Sequence, residues 1–73
     1  MMQSTQVFSP TQLARLRKAK GWTQEGLARR ANLATVTVSK LEEGKVQDPN
    51  SSTLHKLANA LGCPVTQLMG ADT

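Results

Sequence analysis

Between Gln24 and Glu43 the chain carries two short helical patterns hinged at Ala31, Asn32 and Leu33. Leu27, Ala28 and Ala31 anchor the first, and Val38 and Leu41 anchor the second. Two helices hinged this tightly brace one another at a steep angle. Between its apolar anchors the second helix shows Thr35, Val36, Thr37, Ser39 and Lys40, which are small polar groups, a valine and one lysine. A helix this short, presented outward by a partner, has the dimensions and chemistry to enter the major groove of DNA. The pattern points to the reading of double-stranded DNA by a helix over about 35–43.

Seventy-three residues allow one domain with a small core, and a helical bundle closes such a core without covalent staples. The single Cys63 rules out an intramolecular disulfide, and with His55 as its only companion it makes no zinc site. No metal or cofactor is expected. The start, Met-Met-Gln-Ser-Thr-Gln-Val-Phe, lacks the basic end and apolar run of a signal peptide, and no segment is long enough to span a bilayer. The chain is therefore read as cytoplasmic. Nine Lys and Arg against five Asp and Glu leave a net charge of +4, which suits a polyanionic partner without proving one.

Capping chemistry marks the helix ends. Ser9-Pro10-Thr11-Gln12 offers a capping box with proline at the first helical position, and Phe8 with Leu13 has the spacing of a hydrophobic staple. Helix one is read over about 10–20, with Gly21 as its stop. Thr23 caps helix two, which runs to about Ala31 with Trp22 and Leu27 as its staple pair. At the hinge, Asn32 is the residue after glycine that best tolerates a left-handed backbone. Helix three ends before Gly44, and its cap position, Ala34, has no side-chain acceptor. A polar loop, Lys45–Asn50, leads to helix four, capped by Asn50 or Ser51 and carrying Leu54, Leu57, Ala58 and Leu61 at helical period before Gly62. A short fifth helix turns Val65, Leu68 and Met69 inward and ends at Gly70. No strand pattern is visible. The expectation is an all-α, compact five-helix bundle over 9–70, with flexible tails at 1–8 and 71–73.

From Leu13 to Met69 the chain resembles the Cro and lambda-repressor type of helix-turn-helix domain, the XRE-like family. The matching residues are Leu13-Ala-Arg-Leu-Arg17, Gly21-Trp-Thr-Gln24, Leu27-Ala28, Leu33, Val38-Ser-Lys-Leu-Glu-Glu-Gly-Lys45, Pro49, Leu54, Leu57-Ala-Asn-Ala-Leu-Gly62 and Leu68-Met69. Helices two and three then form the helix-turn-helix. The resemblance implies that Gln24, with Thr23 beside it, and Lys45 touch backbone phosphates. It implies that Thr35, Val36 and Lys40 touch base edges, with Thr37 and Ser39 beside them, and that Arg17 and Glu42 form a structural ion pair between helices one and three. A helix start also presents free N–H groups to an anion on independent grounds. The chain departs from the family pattern in having Asn32 at the turn, Gly26 in place of an acid, and Ala34 in place of a Ser or Thr cap. Glu43 lies near the expected phosphate path and should repel it.

The reading surface has a limited vocabulary. Lys40 donates to guanine O6 and N7 as a point charge, Thr35 donates or accepts, and Val36 offers apolar contact to a thymine methyl. No Arg, Asn or Gln occupies a reading position, so specificity per monomer is expected to be modest. That weakness favours a homodimer on DNA, assigned to helix five. Arg15, Lys18, Arg29, Arg30, His55 and Lys56 read as solvated charges, Trp22 as a staple and core residue, and Cys63 as a small apolar one. The leading expectation is a DNA-binding transcriptional regulator, a repressor or activator. The alternative is a protein-interaction module on the same fold, an antitoxin or bridging coactivator. Scattered carboxylates with one His and one Cys supply no nucleophile–base pair, so no enzyme is expected.

Overall fold

Four α-helices form where their caps and stops place them: α1 Pro10–Ala19, α2 Gln24–Ala31, α3 Thr35–Glu42 and α4 Ser51–Leu61. They are seen in a computed structural model that describes residues 7–46 and 49–70. The readings of 1–6 and 71–73 as tails, and of Gln47 and Asp48 as loop, lie outside the described residues. Ser9 Oγ accepts from the Gln12 N–H at 3.2 Å, Thr23 Oγ1 from the Gly26 N–H at 2.9 Å, and Asn50 Oδ1 from the Thr53 N–H at 2.9 Å. The helix four cap is therefore Asn50. The box expected at α1 is only half made, because the Ser9 N–H donates instead to the Leu68 carbonyl at 2.9 Å.

That bond belongs to a feature absent from the expectation. Val7–Phe8 forms a strand, β1, antiparallel to Met69–Gly70, β2, with Val7 opposite Gly70 and Phe8 opposite Met69. Two residues are too few to show an alternating pattern, so nothing in the sequence announces the pair. Val7 and Phe8, read as the end of a flexible tail, are instead part of the folded unit, and Phe8 is buried.

The fifth helix is also corrected. It is a single 3-10 turn, Val65–Leu68, in which the Gln67 N–H reaches the Pro64 carbonyl at 3.0 Å. Four residues cannot repay the nucleation cost of an α-helix, and Met69 leaves the turn in extended conformation to pair with Phe8. Gly70, expected as a helix stop, lies in the strand. The fold is thus four α-helices, a 3-10 turn and one short strand pair.

The core draws on every element but β2: Phe8, Leu13, Leu27, Ala28, Ala31, Val38, Leu41, Leu54, Leu57, Ala58, Leu61 and Leu68 are buried. Each fully buried leucine contributes roughly 2–3 kcal/mol of apolar transfer. Trp22, Leu33, Val65 and Met69 pack against this core while keeping part of their surface exposed.

The angle between α2 and α3 is set at Asn32, whose backbone is left-handed at φ 59° and ψ 46°. Its N–H returns to the Arg29 carbonyl at 3.2 Å, and the Leu33 N–H returns to Ala28 at 2.8 Å. A Cβ in this region is strained, less so for asparagine than for most residues. Asn32→Ala should therefore lower stability by about 1 kcal/mol and Asn32→Gly should not lower it, as read from urea unfolding midpoints.

Candidate nucleic-acid interface

The outward face of α3 follows from its inward one. Val38 and Leu41 are 0 % and 1 % exposed, which turns the positions between them away from the core. Thr35 and Lys40 are exposed. Val36, at 56 %, is the one large apolar side chain left exposed among the described residues. Ser39 and Thr37 are half-buried. Thr37 borders a groove toward α4 that it shares with Lys40, Val46, Pro49 and Thr53. Ala34 makes no side-chain cap, as its chemistry requires, and Thr35 is the first helical residue.

A network at the junction of α1, α2 and α3 holds this helix. Arg17 on α1 donates from Nε to Glu42 Oε2 at 2.6 Å and from Nη2 to Glu42 Oε1 at 3.0 Å, a bidentate pair. Its Nη1 donates to the Trp22 carbonyl at 2.7 Å, so the same guanidinium also pins the α1–α2 turn. Gln24, the first residue of α2, donates from Nε2 to Glu42 Oε1 at 2.9 Å. Sequence reasoning missed this bond. The two residues lie on different helices, and their meeting depends on the crossing that folding creates. A carboxamide nitrogen has two N–H groups, so with one fixed on Glu42 the other remains available.

Both charged side chains are largely buried, at 12 % and 7 % exposure. Burial by itself would push the Glu42 carboxyl up. The hydrogen bonds from Arg17 and Gln24, with the charges of Arg17 and Lys18, outweigh it and hold the group below its ordinary value. The bond to Glu42 raises the Arg17 guanidinium correspondingly, against a smaller effect of burial.

At the same end of α3, Glu43 takes two of the expected contact residues for itself. Ser39 Oγ donates to Glu43 Oε2 at 3.2 Å, and Lys45 Nζ lies 3.3 Å from Glu43 Oε1. The i, i+4 spacing of Ser39 and Glu43 was the available signal for the first. Elsewhere, Arg30 stacks 4.4 Å from the Trp22 ring centroid with Lys20 at 6.0 Å, and Arg29 lies 3.6 Å from Glu25. Arg30, read as a solvated charge, thus also covers an aromatic face. Among the described residues no group of three or more His, Cys, Asp or Glu is placed to hold a metal, and no helix is long and apolar enough to cross a membrane.

Residues 13–68 match the helix-turn-helix family. The chain belongs to that family, in its Cro and lambda-repressor type. It is 40 % identical over 60 residues to the uncharacterized HTH-type transcriptional regulator RghRB of Bacillus subtilis, covering 82 % of this chain and 43 % of the relative. The chain therefore spans less than half of that relative's length. Among solved structures, the restriction-modification controller protein C.AhdI of Aeromonas hydrophila matches at 34 % identity and a TM-score of 0.76, over 81 % of this chain and 88 % of that one. SinR of Bacillus subtilis, the master regulator for biofilm formation, solved in complex with DNA, matches at 27 % identity and a TM-score of 0.74, over 77 % of this chain and 89 % of that one.

The network yields two expectations for stability. Arg17→Met leaves Glu42 buried without its charge partner and should cost about 3 kcal/mol, most of it recovered when Glu42→Leu is added. Guanidinium chloride midpoints of the two single variants and the double variant measure this. Because folding depresses the Glu42 pKa, its contribution is complete above the ordinary value of 4.5 and disappears as pH falls below it through the folded value. Thermal melts from pH 6 to pH 3 should therefore fall less steeply for Glu42→Gln than for the parent.

Proposed function

We propose that the chain binds double-stranded DNA as a transcriptional regulator, with α3 in the major groove. The observation that carries this is the exposed Val36, flanked by Thr35 and Lys40, on a helix clamped at its other end by Glu42. A valine left mostly in water gains little from folding, since it is nearly as wet as in the unfolded chain. Against a thymine methyl it becomes a contact. Thr35 and Lys40 supply the polar half of the readout, with Ser39 beside them. Thr37, turned toward α4, is assigned to the flank of the footprint rather than its centre.

Phosphates are assigned to Thr23, Gln24 and Lys45. Thr23 Oγ1 accepts from the Gly26 N–H and keeps a hydroxyl proton to donate. Gln24 offers its second amide N–H and its backbone N–H at the helix start, where the dipole favours an anion. The binding unit is taken to be 9–70 together with Val7 and Phe8. A protein of this kind works in the cytoplasm, and no reaction is assigned to it.

One module buries roughly 600–1,000 Å² on DNA, and two copies on half-sites one turn apart would offset the weak readout. The dimer surface is assigned to the 3-10 turn and β2. Leu68 is fully buried and contributes nothing, which leaves Val65 and Met69.

Binding to mixed-sequence duplex across a salt series should give a log–log slope of roughly −3 to −6 per monomer. A flat, negligible response would favour the protein-interaction alternative. Gln24→Ala should weaken all duplexes alike, whereas Lys40→Ala should change which site is preferred, by about tenfold at one base pair. Equal effects of the two variants would refute the division between phosphate and base contacts. Sedimentation on a palindromic site should show two chains per duplex, and a Met69→Asp variant should show one.

A further inference from the structure

Glu43 stands where a regulator of this fold would want no negative charge, yet it is not idle. Its two carboxylate oxygens divide between Lys45 Nζ at 3.3 Å and Ser39 Oγ at 3.2 Å. Both partners belong to the surface assigned above to DNA. An ammonium and a hydroxyl, converging on two oxygens of one anion, make the arrangement a phosphate would induce. Lys45 is 69 % and Glu43 50 % exposed, so the pair exchanges freely with solvent and with a competing anion. Gly44 between them has a left-handed backbone, φ 80°, which folds Lys45 back beside the helix end.

We propose that Glu43 is an internal competitor, a tethered stand-in for a DNA phosphate that occupies Lys45 while the protein is free, its second oxygen held by Ser39. The proposal rests on the DNA-binding reading. On DNA, Lys45 must leave the carboxylate before it neutralises a phosphate, so the protein gives up much of the affinity that this lysine would otherwise supply. The contact acts on the sequence-independent part of binding, the part that charge alone provides. It therefore sets how tightly the protein holds duplex in general.

The test is a double-mutant cycle on a mixed-sequence duplex, read by anisotropy across a salt series. Glu43→Gln should bind about twofold to fivefold more tightly than the parent at low salt, with a log–log slope steeper by about one. In a Lys45→Ala background the same change should lose most of that gain, because no ammonium is left to release. A gain that persists undiminished without Lys45 would mean plain repulsion of the backbone by Glu43 and would overturn the competitor. No gain at all, with the parent binding normally, overturns it while leaving the DNA-binding reading intact. Failure of the parent and of every variant to bind duplex at low salt sinks the underlying reading and the proposal together. Circular dichroism melts that coincide with the parent's would establish that these exposed positions act on binding and not on folding.

Discussion

One carboxylate, that of Glu42, governs where three helices meet. It receives two hydrogen bonds from Arg17 and one from Gln24, and so joins α1, the start of α2 and the end of α3. Apolar packing alone leaves short helices free to slide and rotate by small amounts, because hydrophobic contact is nondirectional. The bidentate guanidinium–carboxylate pair is directional, and at this junction it converts a roughly correct packing into a fixed angle. Such a pair is weak evidence for net stability, since desolvation offsets most of its attraction. Its value here lies in geometry.

The same carboxylate links parts of the surface with different assigned tasks. Gln24 is assigned to the phosphate backbone, and α3 to the bases. Through Glu42 their relative position is held by side-chain bonds, in addition to the Asn32 hinge. A displacement of α3 would pull on the Gln24 carboxamide, so the start of α2 and α3 are mechanically coupled. Glu43, one residue on, points the other way and serves Ser39 and Lys45. Two adjacent acids thus have opposite environments, one nearly enclosed and one open to water.

What was legible in the sequence was local. Ser9, Thr23 and Asn50 cap helices, and Asn32 and Gly62 stand at left-handed stops, because those chemistries act within a few residues. The outward positions of α3 follow once Val38 and Leu41 are known to face inward. What stayed hidden depends on distance in sequence. The bond from Gln24 to Glu42 needs the completed crossing of α2 and α3. The β1–β2 pair is too short to leave a pattern, and it also explains why the Ser9 N–H does not complete its capping box. The expected fifth helix failed for a related reason: its last residue, Met69, had a better use in pairing with Phe8.

That strand pair has a consequence for the order of assembly. Val7 opposite Gly70 joins the two extremes of the described chain, so closing it fixes almost the whole polypeptide in one loop. Such a contact gains most when the helices between have already condensed, and it is the natural last stitch in folding. By the same reasoning it is the first seam to part under tension or mild heat. The Ser9 amide proton, held by the Leu68 carbonyl, would then exchange ahead of those in α2 and α4, while α3 stayed in place.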